Sequence, residues 1–377
     1  MERVYLDNNA TTRPSRAAAD AVLRAMDVHG NPSSLHATGR AAARLLSESR
    51  AAVAAFVGAR ATEISFTSGG TEADRLAVLG ALAAAGPRRH VVASAIEHSA
   101  IRELLRSRSD LETTWIRPRP DGRVDADEFI AALRDDTAVA CLMAANSETG
   151  VLQPATETAA ACRARGVPFV VDAVQVAGKA PFDFAALGAD LAAVSAHKFH
   201  GPKGVGALIV RDGARWTPPF PSSHEAKRRA GTEAVPAIAG FAAAANEAAA
   251  ATDADRERVA ELRDRLERVL TGTLDGVRVN GTAPRVGNTS NLHFDGIEGD
   301  RLLATLDRAG IDASSGSACS SGAAEPSHVL VAMGLSRRDA SSAIRFSLSR
   351  LTTAAEIDRA VAATIEAVET LRTSSRR

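Results

Sequence analysis

The chain has 377 residues, and its 45 Lys+Arg balance 45 Asp+Glu, which excludes a basic nucleic-acid module or a charged disordered tail as its organising principle. Three cysteines are too few for a disulfide scaffold, and Cys141, Cys162 and Cys319 lack metal-ligand spacing, so no metal is expected. No stretch is apolar for bilayer length and the first residues show no leader pattern, so a cytoplasmic protein acting on a small molecule is expected, with neither nucleic acid nor membrane as a direct partner.

In chain order, helical periodicity covers residues 16–28 and 36–57, a strand is predicted at 64–67, and a helix follows at 71–85. Strands at 90–95 and 138–145, a helix at 156–165, and strands at 168–174, 191–195 and 205–211 continue the pattern. Apolar strands alternating with helices predict an α/β fold with a mainly parallel sheet flanked by helices. Residues 236–270 read as one long Ala- and Arg-rich helix, followed by strands at 277–280 and 289–294. That run is expected to join a large domain, 14–246, to a smaller α+β unit made of 1–13 plus 247–377. The polar tail 373–377 is expected to fray.

In an open α/β sheet ligands bind outside the carboxyl ends of the strands, so the residues just past each strand carry the chemistry. Ser68-Gly69-Gly70-Thr71-Glu72 opens a helix with small residues, which suits a phosphate cup and equally an ordinary capped loop. Asp172 ends one strand, with Gln175 three residues on. His98, Asn146 and Ser195-Ala196-His197-Lys198 follow others. Taken singly, these also read as a turn acid, a helix-start histidine, a turn asparagine and a core histidine.

Lys198 stands out because arginine supplies nearly all the positive charge; the other lysines are Lys179, Lys203 and Lys227. A guanidinium stays protonated and cannot supply the amine of a Schiff base. Lys179 and Lys203, beside glycine or proline, read equally as surface lysines in a turn or as retained for chemistry. Cys141 and Cys162 sit in apolar or alanine-rich surroundings and read as small buried hydrophobes. Cys319 lies in the small, polar run Ser314-Ser-Gly-Ser-Ala-Cys-Ser-Ser-Gly-Ala-Ala-Glu-Pro326, where a thiol is expected to stand exposed. A stacking ring, an acid for a pyridine nitrogen, a phosphate cup and a reactive lysine are together what pyridoxal 5′-phosphate requires.

Ten motifs in order over essentially the whole chain carry a resemblance. They are Tyr5-Leu-Asp-Asn-Asn-Ala-Thr-Thr12, Gly30-Asn-Pro-Ser-Ser-Leu-His36, Phe66-Thr-Ser-Gly-Gly-Thr-Glu72, Glu97-His98 and Asn146-Ser-Glu-Thr-Gly150. Val171-Asp-Ala-Val-Gln175, Ser195-Ala-His-Lys198, Arg229-Ala-Gly-Thr232, Ser314-Ser-Gly-Ser-Ala-Cys319 and Ile344-Arg-Phe-Ser347 complete the set. The sequence resembles the cysteine desulfurases, pyridoxal-phosphate enzymes of fold type I and aminotransferase class V, in their long-loop branch. The resemblance implies a mainly parallel seven-stranded sheet, a homodimer, L-cysteine as substrate, and a protein sulfur acceptor or scaffold as partner.

Carried over by residue, it implies that Lys198 holds the cofactor covalently and His98 stacks on its ring. Asp172 would pair with the ring nitrogen and Gln175 with the phenolic oxygen. Gly70, Thr71, Ser195 and His197 would bind the phosphate, joined by Thr232 across a dimer interface. Asn146 lies beside the cofactor and, with Arg345, would hold the substrate carboxylate, which a planar guanidinium suits. Cys319 would take the sulfur as a persulfide, Lys198 would remove the Cα proton, and His98 would move protons. Iron–sulfur assembly, tRNA thiolation and DNA sulfur modification are all open as destinations.

The match departs at Pro221-Ser-Ser-His-Glu-Ala-Lys227, where the family has a glycine-rich segment, and at Asp74-Arg75, where amides are usual. A selenocysteine lyase or another class V enzyme is the nearest rival, and a catalytically weak sulfur-relay protein is the rival of another class.

Overall fold

Val91 and Val92, Val139 and Ala140, Val170 and Val171, and Leu208 and Ile209 are sequence neighbours that pack into two separate apolar cores. Successive side chains of a strand point to opposite faces, so a sheet buried on both sides demands unbroken apolar runs. The computed structural model describes residues 3–315 and 325–374. Its main sheet has seven strands in the order Ile64–Thr67, Gly206–Val210, Leu191–Ser195, Phe169–Asp172, Thr137–Cys141, His90–Ser94 and Glu112–Ile116. The last five run parallel. Gly206–Val210 is antiparallel to both of its neighbours, so two reversals return Ile64–Thr67 to the common direction. Six strands therefore end at one edge, with the expected carboxyl-end loops together.

Gly70–Ala84 lies across one face through Ala73, Ala77, Val78 and Ala81, residues small enough for close approach. The opposite core takes Phe169, Phe184, Phe199 and Phe241. A third core joins Val4 and Leu6 to residues from Val259 onward, around the antiparallel strands Ala343–Ser347, Thr289–Phe294 and Val277–Val279. Val4–Tyr5 pairs in parallel with Ile311–Asp312. The helix His328–Ala332 returns to the large core through Val329 and Leu330.

The long helix expected at 236–270 is two helices, Val235–Ala249 and Asp253–Thr273. Thr252 stops the continuous reading: its side chain accepts from Asp255 N while Asp255 accepts from Thr252 N, a reciprocal cap that starts a new helix. The helix Ala354–Ser374 also runs two residues into the tail expected to fray. No helix among the described residues is long and apolar enough to cross a membrane.

Candidate active site

Lys198 follows the strand Leu191–Ser195 in a single 3₁₀ turn, and its Nζ donates to the carbonyls of Asn9 at 2.6 Å and Ala10 at 2.9 Å. The N-terminal segment thus holds the amine at the sheet edge. Asp172 ends the neighbouring strand and is 5% exposed, and its Oδ1 accepts from Val174 N at 2.9 Å. Burial raises its pKa, and the nearby His98 and Lys198 oppose that rise. A buried carboxylate of this kind calls for a cation beside it.

His98 caps the helix Ser99–Arg106, where its Nδ1 accepts from Ala100 N at 3.1 Å. Burial lowers its pKa, so the neutral ring prevails near pH 7, and the Nδ1 lone pair assigns the proton to Nε2. His197, whose Nδ1 lies 3.1 Å from Thr11 Oγ1, is pushed down to about 4, first by burial and then by the charge of Lys198.

The residues expected to form a phosphate cup lie together. Ser68 through Glu72, Ser195, His197, Lys203 and Gly204 line one concavity together with Ala10 and Thr11. Ser195 Oγ is buried with no hydrogen-bond partner among the described residues, and it stands 3.9 Å from where a Cβ on Gly69 would be. A Cβ on Gly70 would meet Val174 Cγ2 at 2.7 Å, so only glycine fits there. Glu72 fixes the rim: it accepts from Ser68 N at 2.6 Å and from Arg229 Nε at 2.9 Å. Thr71 opens the helix and is exposed, as is Thr232 in the single chain. An orphaned hydroxyl, a glycine-only wall and a helix N-terminus fit a phosphate, and the acid at Asp172 fits a protonated pyridine, so these residues suit pyridoxal 5′-phosphate.

Arg345 and Asn146 converge on one turn. Asn146 Oδ1 accepts from Glu148 N at 2.9 Å and Thr149 N at 3.0 Å, which leaves its Nδ2 with long contacts to Ile96 O at 3.4 Å and Met143 Sδ at 3.5 Å. Arg345 Nη1 donates to Ser147 O at 3.1 Å and Nη2 to Asp7 Oδ1 at 2.7 Å, while its buried Nε has no partner among the described residues. Cys319 lies outside the described residues. Cys141 and Cys162 are buried, as expected.

Gln175 donates from Nε2 to Asn9 O at 3.1 Å and accepts from Lys179 Nζ. Lys179 is therefore no surface lysine. Its Nζ also donates to Asn9 Oδ1 at 2.8 Å, and burial, then the charges of Lys198 and Arg345, hold its pKa well below the usual range. Asn9, which sequence reasoning gave no role, serves both lysines, and its own amide donates to Ser147 O and Thr289 Oγ1. Two more acids were missed. Asp74 is 1% exposed with both carboxyl oxygens unpartnered among the described residues; burial, then Asp172 and Glu97, push it upward. Glu97 accepts from Ser94 Oγ at 2.5 Å and Met143 N at 2.9 Å, and burial pushes it up to about 8. Both stand in stretches the sequence singles out, Glu97 in the Glu97-His98 motif and Asp74 at the departure from the family's amides, but neither signal assigns a role.

The departing segment folds into a left-handed turn at Glu225, Ala226 and Lys227, with φ of 47°, 54° and 66°. Glu225 anchors it: its carboxylate accepts two bonds from Arg50, at 2.6 and 2.7 Å, and one from Phe66 N at 2.8 Å.

The aminotransferase class-V family model matches residues 4–360. A cysteine desulfurase of Cereibacter sphaeroides is 46% identical over 382 residues, covering 100% of this chain and 98% of its own length. One from Trichormus azollae is 42% identical, with 100% and 95% covered. Among solved structures, a NifS-like protein superposes with a TM-score of 0.90 at 32% identity, covering 98% of this chain and 100% of its own. DndA from Streptomyces lividans gives 0.76 at 37% identity, with 90% and 97% covered.

Proposed function

This chain belongs to the aminotransferase class-V family and is a pyridoxal-phosphate-dependent cysteine desulfurase, and on that premise we propose how its own residues divide the work. The observation that carries the reading is the convergence of Lys198, Asp172 and His98 beside an orphaned Ser195 hydroxyl at one sheet edge. Lys198, Asp172, Gln175 and His98 would hold the cofactor's ring, and Gly70, Thr71, Ser195 and His197 its phosphate. Bound there, the cofactor supplies an electron sink that makes the Cα proton of an amino acid removable. Lys198 Nζ takes that proton, and its two carbonyl partners set the direction from which it acts. His98 moves protons through Nε2, consistent with the bond that occupies its Nδ1.

Asn146 and Arg345 orient the substrate carboxylate, one through a weakly engaged amide and the other through an unsatisfied Nε. Cys319, as the thiolate, attacks the sulfur of L-cysteine. The new S–S bond leaves a persulfide on Cys319, the C–S electron pair stays on carbon, and protonation there yields L-alanine. The persulfide is then passed to a protein acceptor. Thr232, exposed in the single chain, would complete the phosphate site of a second copy, making a homodimer the functional form. A division into 14–246 and 1–13 plus 247–377 is supported by the separate core around Val4, Leu6 and Leu266. DndA, a structural relative, favours no destination by itself, and DNA sulfur modification stands beside iron–sulfur assembly and tRNA thiolation.

Sulfide release from L-cysteine with added reductant tests the activity. Cys319→Ser is expected to bind the cofactor normally yet form no alanine in a single turnover, and undiminished alanine would remove Cys319 from the mechanism. Turnover of selenocysteine in that same variant would favour the lyase reading.

A further inference from the structure

Gly178 has a φ of 75°, and a Cβ there would meet Phe199 Cβ at 2.6 Å, so only glycine lets the turn after Gln175 close against the core. Lys179 follows at once, half-buried, with its N–H bonded to Val176 O at 3.0 Å. Its amine meets two amide oxygens, Gln175 Oε1 and Asn9 Oδ1, and no carboxylate among the described residues. The charged groups that face it, Lys198 and Arg345, are cations, and the rings of His197 and His200 lie within reach of its charge. A positive charge gains nothing from such neighbours, so the work left to this side chain is donation to oxygen.

The bonds form a closed ring. Lys179 Nζ donates to Gln175 Oε1, Gln175 Nε2 donates to Asn9 O at 3.1 Å, and Asn9 Oδ1 accepts from Lys179 Nζ at 2.8 Å. Asn9 is itself held, at Oδ1 by Asn288 Nδ2 at 3.1 Å and through its own Nδ2 by Ser147 O at 3.0 Å and Thr289 Oγ1 at 2.9 Å. The two ends of a glutamine amide have nearly the same shape, so their partners decide which end points where.

We propose that Lys179 is a positioning residue that locks the Gln175 amide so that Nε2 is the atom presented to the cofactor's phenolic oxygen. Nε2 carries two hydrogens, of which one goes to Asn9 O, and no second bond engages it among the described residues. Donation into Oε1 polarises the amide and strengthens its N–H groups as donors. Gln175 is 5% exposed, so water is a poor replacement for the amine. The same Asn9 carbonyl accepts from Lys198 Nζ at 2.6 Å, which sets the ring beside the reactive amine.

This role rests on the reading of Gln175 above, and one titration separates the two. The substrate-free holoenzyme is taken from about pH 6 to 10, and the midpoint of the change in its visible absorbance is read. An N–H bonded to the phenolic oxygen favours the deprotonated form and lowers that midpoint. Gln175→Leu is expected to raise it by about one pH unit, a tenfold change in proton affinity, and Lys179→Met by about half a unit or more. In the Gln175→Leu background, Lys179→Met is expected to add less than about 0.2 unit, because its effect travels through the amide. An equal shift from Lys179→Met in both backgrounds, the signature of a direct charge effect, overturns the proposal, as does no shift in the unaltered background. No shift with Gln175→Leu overturns the reading of Gln175 and the proposal with it. Should Lys179→Met fail to fold, Lys179→Leu runs the same cycle with the same expectations.

Discussion

Replacing Glu225 with alanine should cost the fold about 3–5 kcal/mol, because it removes one partner of a buried pair and leaves the other charge in place. The Glu225 side chain is 1% exposed and that of Arg50 18%, and the two meet through both carboxylate oxygens. After the change Arg50 keeps Ile64 O at 3.0 Å and the face of Phe66 at 4.8 Å, neither of which carries a formal negative charge. Phe66 N loses its acceptor as well, a further loss of about 1–3 kcal/mol if nothing replaces it. The residual exposure of Arg50 lets water recover part of this, which keeps the total within the first range. Urea unfolding of the cofactor-saturated protein, followed by circular dichroism at fixed protein concentration, measures it. Removing both partners, as Arg50→Met with Glu225→Leu, should cost far less than Glu225→Ala alone, since no charge is stranded. A loss under about 1 kcal/mol in Glu225→Ala would refute the buried-pair argument, as that is the range of a solvated surface bridge.

Lys227→Gly should stabilise the protein by about 1 kcal/mol in the same assay, because a left-handed φ of 66° is free for glycine and strained for lysine. Thr252→Ala should lower stability by about 1 kcal/mol through loss of the reciprocal cap, with the cofactor spectrum unchanged. Glu97, raised from 4.5 to about 8, stays protonated in the fold while the unfolded chain ionises, so the native state binds the extra proton and stability falls as pH rises from roughly 5 to 8. The slope from this group is at most about 1.4 kcal/mol per pH unit, and Glu97→Gln should remove it; an unchanged pH profile of unfolding would show that Glu97 is ionised in the fold. Lys198→Ala should abolish covalent capture of the cofactor by borohydride, read as peptide mass, and capture at Lys179 instead would reassign the reactive amine.

The strands Ile64–Thr67, Leu191–Ser195 and Thr289–Phe294 were legible to the residue, because each is a short β-forming run ended by an abrupt change of character. The edge strand Glu112–Ile116 was not read, since one half-exposed face dilutes its apolar pattern. The motif residues at the strand ends were legible as a set, for local order fixes which loop each occupies and the sheet direction brings those loops together.

Which side chains meet across those loops is another matter. Asn9 joining Lys179 to Lys198, Glu148 meeting Ser327 across 179 residues of chain, and Glu225 reaching Arg50 across 175 are pairings between segments that carry no periodic signal toward each other. The sequence by itself determined the strand and helix alternation, the scarcity of lysine among arginines and the family to which the chain belongs, because these depend on residue type and near neighbours. Tertiary structure alone decided that Asn9 draws Lys179 and Lys198 to one place, that Asp74 and Glu97 are buried, and that Ser327 meets Glu148, because burial and charge proximity are properties of the folded chain and of no local stretch of it.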